Sequence, residues 1–177
     1  MKHLLVRFVL LQIAWFTCVG GAAAGQPMLG VVLVVLITAA ELVRSSNVSK
    51  KITIFAVAGI GGYIADSLLV IAGVLQFPKA AQLGAPSTLW MTALWVNFAV
   101  VLESAPLALR KQPVIAVISG ALGGPLAYLA GEFLGALLMP KSWSLFAIAV
   151  EWAVAMPALF AMDRRLRSTL SRTKVSA

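Results

Sequence analysis

The stretch Ile52–Phe77 reads ITIFAVAGIGGYIADSLLVIAGVLQF. Among its 26 residues Asp66 is the one charged side chain. A helix needs about 20 mostly apolar residues to cross the hydrocarbon core of a bilayer. The stretch therefore predicts a transmembrane helix that carries a carboxyl group near its middle.

Two further apolar stretches precede it and three follow it. The sequence therefore predicts six helices: 4–22, 28–43, 52–77, 87–109, 113–139 and 143–162. The chain is 61% hydrophobic and 11% charged, which excludes a water-soluble globule. The predicted fold is an all-α, polytopic membrane bundle in one domain, residues 1–177. Residues 163–177 are predicted to form a basic cytoplasmic tail.

The basic residues predict the orientation of these helices, because cytoplasmic loops carry the excess of Lys and Arg. Twelve of the 14 fall on one side of the predicted membrane: Lys2, Arg7, Arg44, Lys50, Lys51, Arg110, Lys111, Arg164, Arg165, Arg167, Arg172 and Lys174. Only Lys79 and Lys141 fall on the other. Both termini are therefore expected inside. The net charge of +8 is a topology signal, and no nucleic-acid partner is expected.

The first helix has an alternative interpretation as a secretory signal peptide. Lys2 and Arg7 come before or early in an apolar core that ends in Ala22-Ala23-Ala24, which resembles a cleavage site. The segment Gly25-Gln26-Pro27 favours a tight turn into a second helix instead. We expect a retained helix, with cleavage as the open alternative.

Polar side chains at depth in the bilayer are candidates for a site, because they are costly there. With a rise of about 1.5 Å per residue, Asp66 lies about 21 Å into the third helix and Asn97 about 15 Å into the fourth. Glu151 lies about 12 Å into the sixth. The candidate substrate-binding residues are Asp66, Asn97, Tyr128, Glu132 and Glu151. We expect them in one zone, the middle and outer half of the membrane.

Each of these candidates has a purely structural alternative. Asn97 can form an interhelical hydrogen bond, and the acids can lock helices together. Close helix packing is also the first interpretation of the glycines. The predicted packing glycines are Gly61, Gly62, Gly120, Gly123, Gly124, Gly131 and Gly135.

Three charged residues lie near the predicted cytoplasmic ends of helices, namely Glu41, Glu103 and Arg110. Boundary ion pairs of Glu41 and Glu103 with Arg7, Arg44 or Arg110 are expected. The sequence has one histidine, His3, and one cysteine, Cys18. Histidine-based metal sites and triads are therefore not expected, and we assign no catalytic residue, metal or cofactor.

The segments Leu94–Ala99 (LWVNFA) and Gly120–Gly131 (GALGGPLAYLAG) resemble those of an uncharacterised bacterial family of small, multi-span inner-membrane proteins. This resemblance implies a bacterial inner membrane and no mechanism. A second segment, Ala58–Asp66 (AGIGGYIAD), is similar to a glycine-rich helix in substrate-binding subunits of energy-coupling-factor transporters. That likeness implies a substrate pocket on the outer side.

The function favoured by these observations is binding or transport of a small organic or lipid-like solute through an intramembrane polar pocket. One alternative is a structural or accessory subunit of a membrane complex. A carboxylate-based, lipid-modifying membrane enzyme is less favoured, so an enzyme is not the expectation. The expected partners are membrane lipids, a solute, and a membrane-protein partner or a second copy of the chain.

Overall fold

The structure is a computed structural model that describes the backbone of residues 2–175 and the side chains of residues 5–102 and 104–167. Within these residues the fold is all-helical, without strands. The α-helices are α1 Lys2–Ala23, α2 Met28–Val43, α3 Val48–Ile71, α4 Leu89–Val101, α5 Leu107–Lys111, α6 Pro113–Phe133 and α7 Ser144–Val175. Of these, α1, α3, α6 and α7 are long and apolar enough to cross a membrane, whereas α2 and α4 are apolar but shorter.

The fourth predicted helix, 87–109, is divided in the structure. Helix α4 ends at Val101, a 3₁₀ turn follows at Leu102–Ser104, and α5 begins after Pro106. A proline disfavours helical backbone in the residue before it, and Ala105 has an extended ψ of 148°. The helix therefore cannot continue through this point.

The third and fifth predicted helices are shorter than expected. They end at Ile71 and Phe133, although the apolar sequence runs on. Gly73 and Gly135 follow with φ of +69° and +82°, a conformation that glycine adopts easily and that ends helices. The last predicted helix is longer than expected. Helix α7 runs to Val175, so the predicted tail from residue 163 continues this helix.

Helices α3 and α6 belong to an internal repeat with an offset of 62 residues. Seven identical pairs occur between segments 59–79 and 121–141: Gly61 and Gly123, Gly62 and Gly124, Ala65 and Ala127, Gly73 and Gly135, Leu75 and Leu137, Pro78 and Pro140, and Lys79 and Lys141. The last residues of α3 and α6 also differ by 62. The two segments therefore share a sequence pattern and a helix end.

The repeat extends into the following helices with a smaller offset of 57 residues. It relates Ser87, which lies just before α4, and Trp95 in the middle of α4 to Ser144 and Trp152 of α7. We call α3–α4 the first repeat and α6–α7 the second repeat. Beyond the helix ends, Gln76 and Leu138 are again equivalent, and they exchange backbone hydrogen bonds of 2.9 and 2.8 Å across an antiparallel bridge.

The two repeats pack on each other unequally. Within each repeat the two helices pack along one another, and the α1–α2 hairpin covers α4. Between repeats α3 packs against α7, whereas the equivalent helices α4 and α6 make far fewer contacts in the described part of the chain. The symmetry of the repeats is therefore broken on one side, between α4 and α6.

The outside of the bundle is apolar. Large hydrophobic side chains on several helices are more than half exposed, among them Leu36, Ile60, Leu122, Phe133 and Val154. Soluble monomers rarely expose apolar surface of this extent. The surface is that of a protein in contact with lipid.

Candidate functional site

Asp66 is at the centre of the contact between the two repeats and is fully buried. Gly62 lies one turn earlier on α3, and a Cβ there would lie 2.0 Å from Cγ of Trp95. The missing side chain lets the Trp95 ring lie against α3. As a result, Nε1 of Trp95 donates a hydrogen bond of 2.8 Å to Oδ2 of Asp66.

The second repeat presents the same glycine and tryptophan. A Cβ on Gly124 would lie 2.4 Å from Cγ of Trp152. Tyr128 occupies the position equivalent to Asp66, and its hydroxyl donates to Oδ1 of Asp66. The rings of Trp95 and Trp152 stack, with centroids 4.3 Å apart and an interplanar angle of 8°. Equivalent residues of the two repeats therefore meet in pairs.

A cavity of about 150 Å³ lies beside this contact, where α4 and α6 are apart. Residues of α1, α4, α6 and α7 line it. Its walls are mainly aromatic and aliphatic, and the aromatic residues are Trp15, Trp90, Trp95, Phe98, Tyr128 and Trp152. Two of the lining residues, Gln12 and Asn97, carry side-chain amide groups.

Of the five predicted substrate-binding residues, Asn97 and Tyr128 line this cavity. Asp66 lies behind the cavity wall and is held by Trp95 and Tyr128. Asn97 also has a structural contact, because its Nδ2 donates a 3.1 Å hydrogen bond to the carbonyl oxygen of Leu11. This bond links α4 to α1.

Glu151 lies next to this group without lining the cavity. It is close to Asp66. Both of its carboxyl oxygens are buried, and neither has a hydrogen-bond partner among the described residues. Buried polar groups usually have a partner, so this carboxyl group is a candidate for a role beyond packing.

Glu132 does not line the cavity, and it contacts the turn after α6 instead. Its Oε1 accepts a 2.7 Å hydrogen bond from the backbone N–H of Met139. The sequence placed Glu132 on the Tyr128 face of a longer helix. Because α6 ends at Phe133, the carboxylate instead satisfies the turn that follows.

Four of the seven predicted packing glycines lie against a neighbour. Besides Gly62 and Gly124, Gly120 lies against the backbone of Trp152 and Gly131 against Leu137. The other three do not. A Cβ on Gly61 or Gly123 would meet open space, and so would one on Gly135, whose role is the positive φ of the turn.

Several ion pairs lie at one end of the bundle. It is the end where α1 begins and where α7 continues past its apolar part, and we call it the basic end. Glu41 pairs with Arg7 at 3.3 Å and with Lys51. The predicted boundary residue Arg110 lies 3.9 Å from Asp163, and the side chain of Glu103 is outside the described residues.

The sequence reasoning missed Asp163, which is 1% exposed and pairs with Lys50 at 2.8 Å and Arg167 at 2.9 Å. Its i,i+4 spacing to Arg167 was the available signal. It also missed Trp95 as the partner of Asp66, which the repeat could have suggested. No cluster of three metal-ligating side chains occurs among the residues that the structure describes.

These features define a class, an all-helical protein with several apolar helices that are long enough to cross a membrane. Within that class, the chain belongs to the family described as protein of unknown function DUF2878, which it matches over residues 4–158. The predicted resemblance to an uncharacterised family is thus confirmed. No curated protein and no solved structure matches the chain, so the likeness to energy-coupling-factor subunits has no support.

Proposed function

We propose that this protein binds, and moves across or within the membrane, a small organic or lipid-like solute. The observation that carries the proposal is the aromatic cavity beside Asp66. Trp95 and Tyr128 form part of its wall and also hold the Asp66 carboxylate. A mainly apolar cavity with a few placed polar groups is typical of sites for small molecules.

The unequal packing of the repeats supports this proposal. The interface of α3 with α7 is closed, whereas the equivalent side between α4 and α6 holds the cavity. In transporters built from repeats, binding sites commonly lie at the interface between them. Glu151, whose buried oxygens have no partner among the described residues, supplies a carboxyl group beside the same interface.

The proposal includes six transmembrane helices, with both termini in the cytoplasm of a bacterium and the chain in its inner membrane. The short helices α2 and α4 then cross the bilayer together with the four long ones. The asymmetry of basic residues supports this orientation. Lys79 and Lys141 follow the Gln76–Leu138 bridge, while the larger group of cations lies at the basic end.

Retention of a solute by the purified protein tests the proposal. Ala127 lines the cavity and Ala158 is exposed on α7, so Ala127→Leu fills the cavity and Ala158→Leu is its matched control. Mass spectrometry of organic extracts should find the same molecule with wild type and Ala158→Leu, and should find it depleted with Ala127→Leu. Equal retention by all three proteins, or by none, would contradict the proposal.

A second candidate function, a structural subunit of a membrane complex, is favoured by one observation. Both oxygens of Asp66 already accept hydrogen bonds from the protein itself. Such an acid can act by holding helices together. This function predicts one partner protein that co-purifies with wild type and with the Ala127→Leu variant alike, and no retained solute.

A further inference from the structure

A second cavity, of about 380 Å³, lies at the basic end of the bundle, and Asp66 is not among its lining residues. The start of α1, the α2–α3 loop, the start of α3 and α7 all contribute to it. Five of its eight lining residues are cations: Arg7, Arg44, Lys50, Lys51 and Arg167. The other three are the polar loop residues 45–47, and no acidic residue lines the cavity among those whose side chains the structure describes.

Two carboxylates behind the wall hold most of these cations in place. Glu41 pairs with Arg7 and Lys51, and Asp163 pairs with Lys50 and Arg167. The Lys50 side chain is 6% exposed, which is unusual for lysine. Two negative charges thus position four cations, and Arg44 adds a fifth at the rim. The described side chains therefore give the cavity an excess of positive charge.

Such a cavity suits a phosphate group. Arginine presents planar N–H donors that match phosphate oxygens, and lysine adds a compact charge. Glu41 and Asp163 already hold these cations in position, which lowers the free-energy cost of ordering their side chains around a ligand.

The surroundings of the cavity indicate where the phosphate comes from. Phe8, Val43 and Val48 are sequence neighbours of lining residues, and their side chains are 56%, 88% and 44% exposed. Such apolar side chains suit acyl chains. A phospholipid could place its head group in the cavity and its chains on this surface.

We infer that the cavity at the basic end is a binding site for the head group of an anionic phospholipid. The five cations bind the phosphate, and the exposed apolar residues beside them contact the acyl chains. In the proposed topology this lipid belongs to the cytoplasmic leaflet. The inference is independent of the solute cavity beside Asp66.

Native mass spectrometry of the full-length protein, released from mixed micelles, tests this site. The micelles contain phosphatidylglycerol or, for comparison, phosphatidylcholine. Arg44→Gln removes the exposed rim cation, and Lys111→Gln removes an exposed cation outside the cavity. Phosphatidylglycerol should bind in preference to phosphatidylcholine. Its affinity should fall about fivefold in Arg44→Gln and stay unchanged in Lys111→Gln, because a basic residue near a charged head group contributes on this scale.

Two further measurements distinguish a lipid head group from a soluble phosphate ester and from a general effect of charge. Arg44→Lys keeps the charge and should bind phosphatidylglycerol more tightly than Arg44→Gln. Glycerol 3-phosphate alone should bind weakly. If it binds as tightly as the lipid, the cavity is still a phosphate site, but its ligand is a soluble ester. No preference for phosphatidylglycerol, or an equal loss in Arg44→Gln and Lys111→Gln, would overturn the inference.

Discussion

The first and second repeats share the same arrangement of glycine, tryptophan and helix end, and they differ at the central position of this arrangement. Each places a tryptophan on a glycine one turn before the central position, and each ends its first helix at a glycine turn. At the central position, however, the first repeat has Asp66 and the second has Tyr128, and the two bond to each other. The shared part is the scaffold, and the differing part is the candidate site.

The two repeats also explain where the cavity lies. Helix α3 packs on α7, but α4 is covered by the α1–α2 hairpin and stays away from α6. A symmetric pair of hairpins would close both sides. The cavity therefore arises from the departure from symmetry, and substitutions at equivalent positions of the two repeats test this origin.

The largest effect is expected from the two equivalent glycines. Gly62→Ala and Gly124→Ala each put a Cβ within 2.4 Å of a tryptophan ring, so the ring or the helix must shift. Each should lower the free energy of unfolding by about 1–3 kcal/mol or more, since this is the usual cost of overpacking. SDS titration from mixed micelles measures it.

The neighbouring glycines are matched controls for this pair. Gly61→Ala and Gly123→Ala add a Cβ that meets open space, and should change stability by less than about 0.5 kcal/mol. If a control destabilises as much as its neighbour, the assigned role of the glycine and tryptophan contacts is wrong.

The next largest effect concerns the centre of the contact. Asp66→Ala leaves the Trp95 N–H and the Tyr128 hydroxyl without their acceptor, and should cost about 1–3 kcal/mol. Glu151→Gln should leave stability nearly unchanged, because its oxygens accept no hydrogen bond from described residues. The same unfolding titration compares them. A larger loss for Glu151→Gln than for Asp66→Ala would reverse their assigned roles.

Glu151→Gln also separates a functional role of this carboxyl group from a structural one. If Glu151 contributes to recognition, the variant should fold as wild type does and retain less of the solute identified by mass spectrometry. Unchanged retention would remove Glu151 from the site while leaving the cavity itself untouched.

The smallest effect concerns two equivalent serines. Oγ of Ser144 donates a 2.7 Å hydrogen bond to the carbonyl oxygen of Val74, whereas Oγ of Ser87 has no partner among the described residues. Ser144→Ala should therefore cost about 0.5–1.5 kcal/mol and Ser87→Ala less. Equal losses in the unfolding titration would mean that the second repeat does not differ from the first at this point.

The sequence predicted the helical fold and most helix starts, because apolar stretches and Gly, Pro and Ser breaks mark them. It could not predict the helix ends at Ile71 and Phe133. The residues beyond them are as apolar as the helices, and only the backbone conformation shows that Gly73 and Gly135 turn the chain.

The placement of the candidate residues could be predicted in part, and their role in binding stays a prediction. Depth along a helix brought Asp66 and Tyr128 to similar levels, and they are in contact. Depth alone could not assign Glu132, because its role depends on where α6 ends. The repeat was present in the sequence, but its seven identical pairs are spread over 21 residues and are easily missed among many apolar ones.

An experimental density map of the full-length protein in a lipid bilayer would test most directly whether the asymmetry of the repeats creates a binding site. The map should show non-protein density between α4 and α6, in contact with Trp95 and Tyr128, and none between α3 and α7. A map in which α4 packs on α6 and side chains fill this volume would contradict the proposed site.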